Sequence, residues 1–370
     1  MEISIALRLD IETVKILVNT TNLNNPGGVA NYYRVLDPFL SPYADYHQIG
    51  GRVGDKGLVK NVVRLFGDYV GFIRKIRLTP YDCVVLNPSL GKKSLLRDSI
   101  FAMLCLLLKK KFVIFFRGWD EEFESKNKLL VKSLFKYVLF NATGVIVLGE
   151  AFKEKLLSYG YEGKILKETT VADIKYDNEK DVLSWKEKDT IEILYIGRLV
   201  KEKGVLIAID VVVELTKKFP NIVMNIAGDG KDFILAQEYI EKKQAKNVFM
   251  VGDVRGVGKE GLLKSADVLL FPTEYGEGLP NCIVEGMAYG LVVCSTNVGG
   301  IPDLVEKTKT GKVVTLNRAE EYVEFLEKLL SNKKMIRESQ RENCSYGIRH
   351  LSAKAVAGRY IKNIERFLRD

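Results

Sequence analysis

The stretch EGLPNCIVEGMAYG, residues 277–290, carries two glutamates eight positions apart, Glu277 and Glu285. Paired carboxylates are typical of acid–base work such as glycoside hydrolysis, but the residues between these two argue against it. Pro280 marks the first turn of a short predicted helix over residues 281–289, so Glu277 lies in the preceding loop and Glu285 just over one turn inside. The carboxylates would therefore contact different parts of one ligand bound across the helix N-terminus. We predict a ligand clamp.

A second motif supplies positive charge. GRLVKEKG, residues 197–204, directly follows a predicted strand and precedes a helical run. Because ligands of open parallel sheets bind beyond the carboxyl ends of the strands, Arg198 and Lys203 would stand at the mouth of a cleft. An arginine and a lysine there suit a diphosphate, and Gly204 lets the backbone approach closely. The alternative is a basic turn exposed to solvent, and the charges considered by themselves would favour that interpretation.

The two motifs complement each other. Backbone amides around Gly278 and Leu279, at a helix N-terminus, form an anion site. A diphosphate could be held between these amides and the basic pair. Glu285 would then accept hydrogen bonds from ribose hydroxyls and Glu277 from the hydroxyls of a sugar. The alternative for each glutamate is a capping or surface residue.

Alternating strands and helices must position these motifs. Apolar runs bounded by turn residues predict buried parallel strands at residues 15–20, 83–88, 111–118, 144–150, 191–197, 222–228, 248–252, 267–273 and 291–296. Helical periodicity covers residues 58–78, and a further strand could lie within residues 1–14. Residues 167–190 look like a charged loop that joins two doubly wound α/β domains, with a ligand cleft between them.

Composition narrows the class of protein. With 370 residues, two domains are expected. Five cysteines without C-x-x-C spacing and two separated histidines favour a reduced cytosolic compartment and no metal site. Charges interrupt the apolar start, so no signal peptide is predicted. The longest uncharged apolar run is far shorter than the ~20 residues of a membrane-spanning helix.

These motifs resemble those of the retaining GT-B glycosyltransferases of the large family four, which makes many bacterial and archaeal polysaccharides and lipid-linked glycans. The resemblance rests on the two motifs above and on AGDG (227–230), ADVLLFPTEYGEGLPNCIVEGMAYG (266–290), VGGIPDLV (298–305), NPGGVANYYRVL (25–36) and GVIVLGEAFKEKLLSYG (144–160). It implies an α/β protein with the GT-B fold, in which two doubly wound Rossmann-like domains face each other across a cleft. Residues 1–170 would bind acceptor and residues 171–352 donor, with a helix over about 353–370 packing back on the first domain.

The resemblance also implies roles for the site residues. An acceptor hydroxyl attacks the anomeric carbon of a nucleotide-diphosphate sugar on the leaving-group face. Arg198 and Lys203 would stabilise the charge that builds on the departing diphosphate. Glu277 would hold the donor sugar, and Glu285 the ribose. Arg198, Lys203 and Glu277 form the predicted catalytic set.

Further donor contacts are implied in the same way. Gly27 and Gly28 form a glycine loop that approaches the diphosphate from the other domain, and backbone near Val254 faces the base. Gly197, Gly278 and Leu279 complete the donor-binding set with Glu285.

One departure concerns the acceptor side. Many relatives have a histidine before the glycine that follows the third of the predicted strands, whereas this chain has Arg117-Gly118-Trp119-Asp120. Arg117 stays protonated and cannot act as a general base, so either it binds phosphate or the acceptor differs. Arg117, Trp119 and Asp120 are the acceptor-side candidates. The departure also motivates an alternative: a non-catalytic nucleotide-sugar-binding partner of an active transferase.

Two other chemistries are set aside. The chain contains no D-x-D pair, and the basic clamp makes a divalent ion redundant, so we expect neither metal nor cofactor, with the nucleotide sugar as donor substrate. A dinucleotide-dependent dehydrogenase is also disfavoured, because GDGKDF places Phe233 where G-x-G-x-x-G needs its last glycine.

Basic residues concentrate in one stretch. Residues 51–111 hold thirteen lysines and arginines against four acids, an excess that equals the net charge of +9 of the whole chain. The helix over residues 58–78 combines them with an apolar stripe, which is either core-facing or docks on an anionic membrane surface. Nucleic acid is not an expected partner, since no known module appears. We predict a hexosyl-type, retaining, metal-independent glycosyltransferase on the cytoplasmic face of the membrane that builds a surface glycan on a glycan or lipid-linked acceptor.

Overall fold

Two parallel β-sheets, one in each half of the chain, organise the protein. The computed structural model describes residues 14–25, 27–50, 58–176, 178–186, 188–276 and 278–369. Each sheet has six strands within these ranges. In chain order the strands are β1 (Ile16–Thr20), β2 (Ala44–Gln48), β3 (Cys83–Leu86), β4 (Phe112–Phe115), β5 (Gly144–Val147), β6 (Ile165–Lys167), β7 (Ile191–Ile196), β8 (Ile222–Ala227), β9 (Val248–Gly252), β10 (Val268–Phe271), β11 (Val292–Thr296) and β12 (Lys312–Val314).

Helices connect the strands. In chain order they are α1 (Gly28–Leu40), α2 (Leu58–Leu78), α3 (Lys92–Leu107), α4 (Glu121–Lys126), α5 (Lys128–Tyr137), α6 (Glu150–Ser158), α7 (Glu179–Trp185), α8 (Val205–Thr216), α9 (Phe233–Lys242), α10 (Gly256–Ser265), α11 (Asn281–Ala288), α12 (Ile301–Thr308), α13 (Ala319–Leu330), α14 (Lys333–Tyr346) and α15 (Ala353–Arg369). A π-helical turn, Gly347–Leu351, leads into α15. Within the described ranges, none of these helices is both long and apolar enough to cross a bilayer.

The strand orders confirm the predicted fold. They are β2-β1-β3-β4-β5-β6 in the first sheet and β12-β11-β10-β7-β8-β9 in the second, with every recorded pairing parallel. Both are doubly wound arrangements, in which ligands bind outside the carboxyl ends of the strands. These ends of the two sheets face each other across a cleft.

All nine strands that the sequence predicts are present. The three that it does not predict, β2, β6 and β12, lie at sheet edges. An edge strand pairs on one side only, so β2 can have the sequence ADYHQ, in which exposed and buried residues mix. The further strand considered within residues 1–14 falls almost entirely outside the described residues.

One loop prediction is wrong. Residues 167–190 include the seven-residue helix α7, which begins after Asn178. The Asn178 side chain accepts hydrogen bonds from the backbone N–H groups of Lys180 and Asp181, and this N-cap satisfies donors that the first turn leaves open. Because the segment is short and highly charged, its apolar periodicity is too weak to predict a helix.

The last helix crosses back from the second half and packs on the first. In the part of the chain described, α15 packs on α1, and the hydroxyl groups of Tyr360 and Tyr33 lie 3.2 Å apart. Phe367 packs so closely on the backbone of Gly144 that a Cβ there would overlap its ring. An ion pair with 2.6 Å between Nη2 of Arg359 and Oε1 of buried Glu168 adds a polar tie.

Glycines let loops from the two halves touch across the cleft. A Cβ at Gly278 would overlap the carbonyl oxygen of Arg117, and one at Gly300 would overlap that of Leu148. The N–H of Gly300 donates to the carbonyl of Gly278 over 2.6 Å, which joins the two glycine loops to each other. Only residues without a side chain permit this backbone contact.

Candidate active site

The basic motif lies at the end of the first strand of the second sheet. Arg198 follows β7 by two residues and exposes its side chain, and it lines a cavity of about 640 Å³ between the two halves. Lys203 lines the same cavity, with its Nζ 5.5 Å from the ring centres of both Phe271 and Tyr275. The structure thus brings the two predicted cations into one cleft.

A glycine sets the direction of this motif. Gly204 has φ +73°, in the left-handed region, and a Cβ there would overlap the carbonyl oxygen of Pro272. The turn Lys201–Lys203 ends at this glycine, and α8 begins immediately after it. Gly204 therefore lets the chain reverse tightly while Lys203 stays at the cleft.

The N-terminus of α11 faces the same cavity. Gly278, Leu279 and Pro280 line it, as do Asn281 and Cys282 in the first turn of the helix. Within the described ranges no side chain caps this helix, and its first turn holds no acidic residue. Uncapped N–H groups and the positive end of the helix dipole suit an anion.

Glu285 is buried one turn further along α11. Its carboxylate pairs with Lys259 of α10, whose Nζ lies 2.7 Å from Oε1 and 2.6 Å from Oε2. Burial raises the pKa of Glu285, and the neighbouring ammonium group of Lys259 lowers it. The sequence analysis did not find Lys259, because a single lysine on a short helix carries no local signal.

A second cavity of about 850 Å³ adjoins the first. Lys259, Asn281 and Glu285 line both cavities, so Glu285 lies where they meet. The predicted base-side residue Val254 lines the second cavity, and so does Gly27. A long ligand could run from one cavity to the other past Glu285.

The glycine loop of the first half approaches this junction. Gly27 has φ +143° and precedes α1, whose N-terminus has no side-chain cap among the described residues. A Cβ added to Gly28 would lie 3.8 Å from Nδ2 of Asn281, on the opposite wall. Gly28 also lines the first cavity, beside Gly197 on the other wall. Two helix N-termini therefore converge on the cleft.

Arg117, Trp119 and Asp120 also line the first cavity, but two of them have structural contacts. The Trp119 ring is buried in the core, and its Nε1 donates to Glu124 over 2.6 Å. Asp120 caps α4, where its side chain accepts from the N–H of Phe123. Arg117 is therefore the candidate with side-chain chemistry left for a ligand.

Two expectations concern residues or ligands that the geometry does not address. Glu277 lies outside the described residues, so its predicted contact with the sugar stays a prediction. Among the described residues, no group of three or more histidine, cysteine or acidic side chains could hold a metal ion. The expectation of a metal-independent reaction also stays a prediction.

Known proteins are similar to this chain in sequence. Residues 176–350 match the family described as glycosyl transferases group 1. An uncharacterized 41.2 kDa protein in the cps region of Klebsiella pneumoniae is 24% identical over 284 residues, 72% of this chain and 75% of that protein. The capsular polysaccharide biosynthesis glycosyltransferase CapM of Staphylococcus aureus is 26% identical over 246 residues, 62% of this chain but only 60% of CapM.

The fold comparison covers nearly the whole chain. The crystal structure of Anabaena Alr3699/HepE in complex with UDP and glucose superimposes with a TM-score of 0.69 at 15% identity, covering 95% of this chain and 99% of that one. At this identity the similarity concerns the fold. The chain therefore has the GT-B fold, and its residues 176–350 are similar to the glycosyl transferases group 1 family.

Proposed function

We propose that this protein is a retaining glycosyltransferase that moves a hexosyl-type sugar from a nucleotide-diphosphate sugar to a hydroxyl of a glycan or lipid-linked acceptor. One observation carries the proposal. Arg198, Lys203, the uncapped N-terminus of α11 and Glu285 line one cleft between two Rossmann-like domains. The family match supports the same class of reaction, and so does the name of CapM, which assigns that relative to capsular polysaccharide biosynthesis.

The cations act on the leaving group. As the bond between the anomeric carbon and the diphosphate oxygen breaks, negative charge builds on the diphosphate, and the acceptor hydroxyl forms the new bond on the same face. The hydroxyl proton leaves with the nucleoside diphosphate. Arg198, Lys203 and the amides of α11 stabilise this charge. A divalent ion would duplicate their role, so the proposed reaction is metal-independent.

The nucleoside would extend from the diphosphate into the larger cavity. Glu285 would accept hydrogen bonds from the ribose hydroxyls at the junction of the two cavities, and the backbone near Val254 would face the base in the larger one. The HepE structure in complex with UDP and glucose supports a uridine nucleotide as the first donor to test.

Substitutions in the basic motif test the reaction. Turnover is measured as release of nucleoside diphosphate and transfer of sugar, after a thermal-shift screen of nucleotides and nucleotide sugars selects the base. Arg198→Ala and Lys203→Ala should each lower turnover about a hundredfold or more, since one lost donor of this kind costs ~2.7–4 kcal/mol. Lys201→Ala is the matched control, because Lys201 is an exposed cation in the same turn. Near-normal turnover in both cleft variants would refute the proposal.

A second candidate function rests on Arg117, which cannot serve as a general base. The protein could bind a nucleotide sugar without turning it over, as a partner of an active transferase. Purified protein that binds nucleotide sugars but neither hydrolyses nor transfers them, with any acceptor in a panel of glycans and lipid-linked sugars, would favour this alternative.

The surface of the first domain supports an acceptor at a membrane. Helices α2, α3 and α5 pack on the same face of the first sheet and expose large apolar side chains, among them Phe66 (71% exposed), Leu107 (72%) and Leu129 (82%). We interpret these side chains, which lie on helices of one face, as an interaction surface.

The exposed charges described on these three helices are all positive. Their only acids, Asp68 and Asp98, are buried, whereas several lysines and arginines are exposed. On α5 the exposed basic residues Lys128, Lys132 and Lys136 recur every four positions. Exposed cations beside exposed apolar side chains suit an anionic bilayer surface. We infer that the protein docks peripherally there, on the cytoplasmic face where nucleotide sugars are available.

Vesicle binding tests this location. The protein should co-sediment with anionic but not neutral vesicles at low salt, and binding should weaken with salt because exposed charges are screened. Reversal of Lys128, Lys132 and Lys136 to glutamate should reduce binding without affecting hydrolysis of the nucleotide sugar. The control reverses three exposed lysines of the second domain, Lys242, Lys333 and Lys334. If the wild-type protein does not co-sediment with anionic vesicles at low salt, a soluble acceptor becomes the better proposal.

A further inference from the structure

Arg117 holds a positive charge in a fixed position on the first-domain wall of the cleft. Its guanidinium carbon lies 3.5 Å from the ring centre of Phe115 and 4.1 Å from that of Tyr32. Its Nε donates to Oδ1 of Asn87 over 2.9 Å. Packing between two aromatic rings and one hydrogen bond leave the planar group little freedom to turn away. The orientation of the guanidinium is therefore set before any ligand arrives.

This charge has no anionic partner in the part of the chain that the structure describes. Among the described residues no carboxylate forms an ion pair with Arg117, and its Nη2 is buried without a hydrogen-bond partner. Two more buried polar atoms without a partner belong to residues lining the same cavity, the hydroxyl oxygens of Tyr32 and Thr170. Because unpaired buried donors and cations are unfavourable, such a group points to a polar, negatively charged ligand.

The charge is also more than a nucleotide diphosphate needs. The diphosphate of a nucleotide sugar carries two negative charges, which Arg198 and Lys203 match one for one. Lys259 is already neutralised by Glu285. Arg117 is thus a further cation in the cleft, and it lies on the wall opposite Arg198.

We propose that Arg117 binds an oxyanion, a carboxylate or phosphate, carried by the transferred sugar or by the acceptor, and so selects an acidic sugar substrate. The inference rests on the proposed glycosyltransferase function and adds the substrate class. Arginine suits this task because its planar N–H groups match the geometry of carboxylate and phosphate oxygens.

Paired ligands that differ in one charge test the donor arm. Calorimetry compares UDP, UDP-glucose and UDP-glucuronic acid, or the same set with the base selected by the screen above. Wild-type protein should bind the acidic donor at least about tenfold more tightly than the neutral one, a difference of about 1.4 kcal/mol. Arg117→Gln should lose this preference and still bind UDP. Arg117→Lys, which retains the charge without the planar fork, should keep part of it.

The acceptor arm uses the protein saturated with nucleoside diphosphate. If the donors bind equally, the methyl glycoside of glucuronic acid or glucose 1-phosphate should bind wild-type protein, whereas methyl glucoside should not, and Arg117→Gln should remove the difference. The melting temperature without ligand shows whether each variant folds. If Arg117→Gln unfolds, the comparison of Arg117→Lys with wild type decides.

The results separate the two proposals. Equal affinity for acidic and neutral ligands in both arms, with UDP or another nucleoside diphosphate still bound, overturns the role of Arg117 alone. Failure of wild-type protein to bind any nucleoside diphosphate overturns the proposed function, and with it this inference. A preference for acidic ligands that survives in the folded Arg117→Gln variant assigns the selection to another residue and also overturns the inference.

Discussion

Removing Lys259 would leave a carboxylate unpaired inside the proposed nucleotide site. The side chain of Glu285 is 7% exposed and has both oxygens within 2.7 Å of the ammonium nitrogen, whereas Lys259 keeps 30% of its side chain exposed. Breaking a fully buried ion pair by removing one partner costs ~3–5 kcal/mol. Because water reaches this pair beside Lys259, we expect Lys259→Met to lose less, about 2–3 kcal/mol of unfolding free energy. Variants of this one ion pair can therefore show its effect on stability separately from its effect on nucleotide binding.

The loss should depend on pH. Burial raises the pKa of Glu285 and Lys259 lowers it, so Lys259→Met removes the lowering influence and the pKa rises further. A carboxyl group whose pKa is higher in the folded than in the unfolded state favours folding when protonated. Stability of the variant therefore recovers as pH falls through the raised pKa and is lowest above it. The deficit relative to wild type should be larger near pH ~8 than near pH ~5.

Urea unfolding of both proteins at the two pH values measures this. Lys264→Met is the matched control. Lys264 lies on the same helix and pairs with Glu260, and this pair is more exposed than the Lys259–Glu285 pair. The Lys264→Met variant should therefore lose less than about 1 kcal/mol of unfolding free energy. Lys259→Met combined with Glu285→Leu should regain stability, since an apolar pair can replace a buried ion pair, but nucleotide binding should stay weak. A loss below about 1 kcal/mol, or one independent of pH, would refute the reasoning.

Three more predictions concern the cleft. Gly204→Ala should lower stability by at least ~1–2 kcal/mol because of its left-handed backbone alone, and the overlap with the Pro272 carbonyl adds to this loss. Gly258 has open space around its Cβ and an ordinary φ, so the control Gly258→Ala should change stability by less than ~1 kcal/mol. Thermal unfolding measures both. Gly300→Ala should push Leu148 and the facing loop apart, so small-angle scattering should record a larger radius of gyration than for Gly258→Ala; an unchanged radius would contradict the close packing of the loops. Turnover should persist in EDTA, because the cationic side chains of the cleft supply the positive charge; loss of activity restored by a divalent ion would contradict this.

The inner strands follow from the sequence because their chemistry is local. A strand covered on both faces needs a continuous apolar run, and β3 (CVVL) and β10 (VLLF) are completely buried. Alternation of such runs with helical periods is enough to predict two doubly wound domains. Three of the four edge strands, β2, β6 and β12, were not predicted, because a strand with a neighbour on one side only needs fewer apolar residues. Only the assembled sheet shows that ADYHQ pairs with β1.

Some residues of the candidate site can also be predicted from the sequence, whereas others cannot. Arg198, Lys203 and Glu285 belong to short motifs whose spacing indicates a strand end or a helix start, so the sequence by itself predicts that they serve one ligand. The structure brings them to one cleft, and their catalytic and binding roles remain predictions. Their placement is determined locally, because each follows the end of a strand or the start of a helix by a few residues.

Tertiary structure alone decided the contacts between distant segments. Lys259 reaches Glu285 across 26 positions of chain, and Arg117 lies against Tyr32 of α1 with no carboxylate beside it among the described residues. Neither arrangement leaves a trace in local composition, because a charge is paired or unpaired according to what the fold packs around it. The sequence therefore determined the two domains and the residues that face their cleft. Only folding determined that Lys259 pairs with Glu285 and that, among the described residues, no carboxylate pairs with Arg117.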